Sequence, residues 1–256
     1  MDENLCILHS DNEMVDIIQY HIDNFIPLDI SRLGDGEYAF LKNINYHDVF
    51  QKFCKNWGFS FPKEAKKAKK TYLEILIKVL NEGSFVGMMK SGEIHKEHIS
   101  TISFDELKRL GVRSPKAIQT FNLEMIMCKL GSIEDLALIF KGNPVHIMSC
   151  RTKELQQNGI DKKLGCHVTY TQVDRSLRWN ETTRNDIFTK ADSIKEFIVI
   201  VSLGPIGKDV PIYLKNRGKC CIDFGAVIDA WASIPSRKYF KEGNRHSRCF
   251  IKKSKV

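Results

Sequence analysis

Residues 196–223 read EFIVIVSLGPIGKDVPIYLKNRGKCCID, and this stretch decides the fold class. Its opening, 196–203, is a strongly apolar run rich in β-branched residues, the pattern of a strand buried on both faces. The turn at 204–207 contains two glycines and a proline. A helix is expected over 209–216, with Gly218 as its C-terminal cap, and a second strand over 219–223. Strand, helix and strand in this order imply a parallel pair joined by a right-handed crossover.

The same alternation extends outward. The spacing predicts a strand at 144–148, a helix at 151–157 closed by Gly159, and a strand at 167–172. Toward the N-terminus, Met14, Ile17, Ile18, His21, Ile22 and Phe25 recur at helical spacing, so 13–24 reads as an amphipathic helix. A strand at 27–33 follows, stopped by Gly34-Asp35-Gly36, and a helix restarts over 37–42. A second amphipathic helix is expected at 63–81, a buried strand at 85–89, and helices at 118–129 and 132–141. The fold class is therefore α/β: Rossmann-like, with a mainly parallel sheet flanked by helices. We expect a single domain over 1–235 and a basic tail over 236–256.

Composition agrees with this. Of the 256 residues, 43% are hydrophobic and 27% charged, enough for a sizeable core and unlike a disordered chain. The eight cysteines form no CxxC pair, which points to reduced, partly buried thiols rather than a disulfide framework or structural zinc. Cys220 and Cys221 fall in a strand and are expected in the core. The N-terminus lacks the basic start and apolar stretch of a signal peptide. The longest uncharged apolar stretch, 197–207, has 11 residues, whereas a spanning helix needs about 20. A cytoplasmic protein is expected.

The net charge of +8 is uneven. Residues 236–256 hold eight Lys/Arg against Glu242, a net +7, which leaves +1 for all the rest. Such a tail suits an anionic partner at one place, such as a membrane surface contacted peripherally. It also admits a nucleic-acid or anionic-surface binding protein, but no RRM, KH, helix-turn-helix or zinc pattern accompanies it. Nucleic acid is therefore not the expected partner.

In open parallel sheets, ligands bind beyond the carboxyl ends of the strands. That rule selects the candidate residues. RLGDGE at 32–37 ends a strand: Asp35 and Glu37 flank a glycine and can both approach a hard cation such as Mg²⁺ or Mn²⁺. Arg32 offers a fork of donors to a phosphate, and Gly34 and Gly36 let backbone amides come close. Asp35 can equally cap the following helix. A second D-x-E, Asp11-Asn12-Glu13, begins a helix with no strand expected before it and is given no meaning. Gly204 and Pro205 open a turn that could present amides to an anion or could simply be a tight connection. Ser149 and Arg151 sit at another strand end, where Arg151 could bind phosphate or be solvated. Arg175, Arg178, Trp179 and Asn180 could hold a base or a sugar. Asp223 ends the last strand and could act as a general base, or cap a helix, with Asp229 a surface charge. His146 reads as a core residue.

Two of these blocks together resemble a known family. RLGDGE at 32–37 is similar to the R-x-G-D-G-E signature of GT-D-fold glycosyltransferases. SLGP at 202–205, followed by a helix, Gly218 and IDFG at 222–225, looks like that family's second signature. The resemblance implies a Rossmann-like domain, a UDP-sugar donor, and a divalent cation served by Asp35 and Glu37. The implied acceptor is a glycan, glycolipid or glycoprotein. Many members have a histidine where this chain has Ala226. Another phosphate-handling Rossmann-like enzyme, such as a phosphoryl transferase, is the neighbouring alternative.

Overall fold

The computed structural model describes residues 6–34, 37, 40–41, 62–88, 104–113, 118–174 and 181–234. Eight strands carry the architecture: β1 Cys6–His9, β2 Leu28–Arg32, β3 Phe85–Met88, β4 Ile118–Asn122, β5 Val145–Ser149, β6 Val168–Gln172, β7 Ile198–Ser202 and β8 Cys220–Asp223. They form one sheet in the order β1-β4-β3-β2-β8-β7-β5-β6, and every neighbouring pair is parallel. Ten helices flank it among the described residues: α1 Asp11–Asp23, α2 Pro62–Glu82, α3 Phe104–Arg109, α4 Leu123–Cys128, α5 Ile133–Phe140, α6 Thr152–Gln157, α7 Ile160–Leu164, α8 Glu181–Asp192, α9 Val210–Lys215 and α10 Val227–Trp231. None of them is long and apolar enough to cross a membrane.

Strand periodicity sorts the core into two layers. In β8, Cys220 and Ile222 face one way with Ile198 and Ile200 of β7, and Cys221 faces the other with Val199 and Val201. The first face packs on Ile18 of α1, Phe140 of α5, Leu155 of α6 and Trp231 of α10. The second packs on Leu76 of α2 and Leu107 of α3 at one end, and on Ile187 of α8 and Leu214 of α9 at the other. Crossovers on the first face all run one way along the sheet, and those on the second all run the opposite way. A single hand of crossover requires this arrangement. Both cysteines lie in the core as expected, and burial pushes the Cys220 thiol up to about 12.

The α/β class and most of the expected elements are present, but five segments differ. The helix expected over 118–129 is strand β4 followed by the short α4. Phe121 fits both a helical and a strand spacing, and pairing decides the outcome. It is fully buried opposite Gly87 of β3, where a Cβ would meet its ring at 2.8 Å. Strand β1 was not expected, because its four residues carry little periodic signal and lie at a sheet edge. Its presence removes the reason given above for dismissing Asp11-Asn12-Glu13. Those residues nevertheless have local roles: Glu13 closes a capping box with Ser10, and Asn12 accepts a bond from Lys129. Helices α3, α7 and α8 were also unforeseen. His146 is a buried strand residue, as expected, held between Thr169 at 2.7 Å and Thr171 at 2.9 Å. Burial lowers its pKa, opposed by Glu196.

Candidate active site

Helix α10 leaves β8 onto one face, whereas α2 and α9 leave the adjacent β2 and β7 onto the other. The side onto which the chain leaves the sheet therefore switches around β8, the kind of position at which open parallel sheets take their ligands beyond the carboxyl ends. The registers Ile30↔Ile222, Val201↔Asp223 and Ser149↔Ser202 set Arg32, Ser202 and Ser149 level in a row at the carboxyl ends, with Asp223 of β8 one residue short of it.

The centre of this row is a buried network of four charges. Lys208 Nζ donates to Asp223 Oδ2 at 2.9 Å and to the Arg32 carbonyl at 3.0 Å. It also lies 3.5 Å from Glu37 Oε1. Arg32 Nε lies 3.5 Å from Asp223 Oδ1 as an ion pair without a hydrogen bond, and Oδ1 accepts from the Gly225 amide at 2.9 Å. Glu37 Oε2 accepts from the Gly34 amide at 2.8 Å, and Oε1 from the Tyr72 hydroxyl of α2 at 3.1 Å. Two cations thus balance two carboxylates. Lys208, at 3% exposure, is the most deeply placed of the four, and burial without such partners would be prohibitive.

Gly225 brings the two ends of the chain together. Its φ is +47°, and a Cβ there would lie 1.6 Å from Arg32 Nη2. The guanidinium therefore lies directly over the glycine, as only a residue without a side chain permits. Ser202 Oγ donates to the Gly225 carbonyl at 2.9 Å and fixes that turn to the end of β7.

The electrostatics follow from the geometry. Burial alone would raise the Glu37 carboxyl, but Lys208 and then Arg32 outweigh it, so its pKa lies below the ordinary value of 4.5. Burial and the neighbouring Glu37 push the Tyr72 hydroxyl well above its usual range. The Glu37 pKa is depressed on folding, so the unfolded chain binds more protons and the stability it provides is lost as pH falls below about 4.5. Glu37→Gln should cost roughly 1–3 kcal/mol near neutrality, and the gap to wild type should narrow in acid. Urea unfolding at pH 7 and pH 4 checks this.

The expected site residues fare differently. Arg32, Gly34, Glu37 and Asp223 converge. Asp35 and Gly36 lie outside the described residues, as do Arg175, Arg178, Trp179, Asn180 and the tail at 236–256. Ser149 is fully buried, and its hydroxyl accepts from the Arg151 amide at 3.2 Å. Arg151 Nε donates to Asp229 Oδ1 at 2.9 Å, while its Nη1 is buried with no hydrogen-bond partner. Asp229 is therefore an anchor rather than a surface charge.

The turn Gly204–Gly207 is a 3-10 helix in which Pro205, Ile206 and Gly207 are buried. Pro205 has no N–H to offer, and a Cβ on Gly207 would meet that of Leu203 at 2.4 Å. The tight-connection reading thus describes this turn. Sequence reasoning reaches Lys208 only as the last residue of the candidate turn, with no role of its own, and misses Tyr72 as a site residue. A lysine at a helix start reads as solvated, and a tyrosine on an apolar helix face reads as core.

A divalent ion held by Glu37 does not fit this arrangement. The Lys208 ammonium stands 3.5 Å from Oε1, on the side toward Asp223 where such an ion would have to sit. Among the described residues no group of three or more His, Cys, Asp and Glu side chains could hold a metal. A separate cavity of about 320 Å³ lies at the amino end of β6, against Asp161, Cys166, His167 and Tyr170. This is the opposite rim of the sheet from the charged row.

No family model matches the sequence, and no curated protein matches it. The chain is similar to a solved structure of the highly conserved domain of unknown function 1792, described as having a distinct glycosyltransferase fold, with a TM-score of 0.51 and 15% identity. The match covers 88% of this chain and 79% of that one. A selenomethionine-substituted structure of the same domain gives a TM-score of 0.47, also at 15% identity over 88% and 79% of the two chains. The chain has a glycosyltransferase-like α/β fold with its charged row at the carboxyl edge.

Proposed function

We propose that the chain transfers a glycosyl group from a nucleotide-sugar donor, of the UDP-sugar type, to a hydroxyl of a glycan, glycolipid or glycoprotein acceptor. One observation carries this reading: the two segments that resemble the GT-D signatures form a single site, with Arg32 of the first laid over Gly225 and facing Asp223 of the second. The glycosyltransferase fold described for the similar structure points the same way.

In the reaction, the bond between the sugar's anomeric carbon and the diphosphate oxygen breaks, and the electron pair leaves with the nucleoside diphosphate. The acceptor oxygen forms the new bond and its proton passes to the oxygen of the departing diphosphate, so that the step balances without a side-chain base. Arg32 is placed to donate to the departing diphosphate, since its side chain keeps 15% exposure at the carboxyl edge. Arg151, with a buried and unpartnered Nη1, adds a second guanidinium on the same rim. Asp223, with one oxygen on Lys208 and the other on Gly225, is suited to orienting Arg32. We assign it that role rather than proton abstraction. No step is routed through a metal on Glu37.

Thermal denaturation with a nucleotide panel tests the donor class. UDP or a UDP-sugar at a hundred times its Kd should stabilise by about 2.7 kcal/mol, roughly 5–10 °C in Tm for a chain of this size. An equal or larger shift with ATP would favour a phosphoryl transferase instead.

A further inference from the structure

Lys208 does more than pair with a neighbour. Its ammonium donates to Asp223 Oδ2 and to the Arg32 carbonyl, and lies 3.5 Å from Glu37 Oε1. Its backbone is pinned on both sides. Gly207 packs against Leu203 on one side. On the other, Asp209 is clamped by both Arg184 terminal nitrogens at 2.9 and 2.8 Å, and Arg184 also donates to the Ile206 carbonyl at 2.6 Å. A long flexible side chain is thus delivered from a rigid turn to the point between two carboxylates.

We propose that Lys208 is the resident cation of this site: its ammonium stands between Glu37 and Asp223, in the place a divalent metal would need, so that Glu37 is not a metal ligand. The reasoning is chemical. Mg²⁺ and Mn²⁺ need carboxylates free to replace water in their coordination shell. Here Glu37 and Asp223 already carry one ammonium and one guanidinium, and the four groups sum to zero charge. A metal entering between the two carboxylates would have to displace the Lys208 ammonium from Asp223 Oδ2 and from beside Glu37 Oε1. Lys208 is accordingly a positioning residue: it holds Glu37 and Asp223, and through Asp223 the guanidinium of Arg32. The glycosyl-transfer reading enters only in what that guanidinium is for. The occupancy of the site stands on its own.

The test is Mn²⁺ binding to the full chain near pH 7, read from the electron paramagnetic resonance of free Mn²⁺. It needs neither nucleotide nor turnover, so its failure and the failure of the donor assay are distinguishable. Wild type and Glu37→Gln should bind Mn²⁺ with the same affinity within about twofold, whatever that affinity is. Lys208→Met removes the ammonium from between the carboxylates and should gain a site at least about tenfold tighter than wild type, which Lys208→Met/Glu37→Gln should lose again. Lys208→Arg keeps the charge and should gain no site. A tenfold loss of Mn²⁺ affinity in Glu37→Gln against wild type would overturn the proposal, as would a folded Lys208→Met with no gain. If Lys208→Met fails to fold, the comparison of wild type with Glu37→Gln decides alone.

Discussion

Gly225→Ala is expected to destabilise the protein by roughly 2–4 kcal/mol and to lower donor turnover about a hundredfold. The stability loss has two sources. A left-handed φ of +47° costs a residue bearing a Cβ about 1–2 kcal/mol. The new methyl group would also stand 1.6 Å from Arg32 Nη2, so the guanidinium must leave its place beside Asp223. The turnover loss follows from that displacement, since moving a catalytic donor by about 1 Å can cost on the order of a hundredfold. The two sources can be separated. In an Arg32→Met background the collision with the guanidinium is gone, and Gly225→Ala should then cost only about 1–2 kcal/mol. Chemical denaturation of the four proteins in this cycle gives the coupling directly.

Arg32→Met is expected to reduce kcat for the donor by roughly 10²–10³ with little change in KM, the mark of an interaction made to charge that develops as the diphosphate departs. Folding should survive, because Asp223 keeps Lys208 at 2.9 Å and the Gly225 amide at 2.9 Å. Arg32→Lys retains the charge but not the planar fork, so it should recover only a small part of the lost rate. Steady-state kinetics on the folded variants check both. A loss falling wholly on KM would place Arg32 in uniform binding rather than at the reacting diphosphate.

The parallel sheet could be read from the sequence because its central strands are unambiguous. The run at 198–202 is apolar on both faces, and the glycines at 204, 207 and 218 mark where the chain must turn. The carboxyl-end rule then selected Arg32, Glu37 and Asp223 from strand positions alone. Two kinds of information were not accessible in this way. Strand β4 carries Thr120 and Phe121 at spacings that also suit a helix, and only its place between β1 and β3 decides between them. Lys208 closes the candidate turn but its partners do not show in the sequence, and Tyr72 comes from a distant helix. Their roles arise from contacts over 15 and 35 residues of separation, which no local pattern encodes. The turn at 204–207 shows the converse. Its composition suggested an anion cradle, whereas its glycine at 207 is there to let Leu203 pack.

The central claim is that the row at the carboxyl ends of β2 and β8 receives the donor's diphosphate, and a crystal structure of the chain with UDP tests it most directly. Diphosphate oxygens are predicted within hydrogen-bonding reach of the Arg32 guanidinium, about 2.7–3.2 Å, with Lys208 still between Glu37 and Asp223. A nucleotide seated elsewhere, such as the cavity beside Tyr170, with Arg32 untouched, would contradict it.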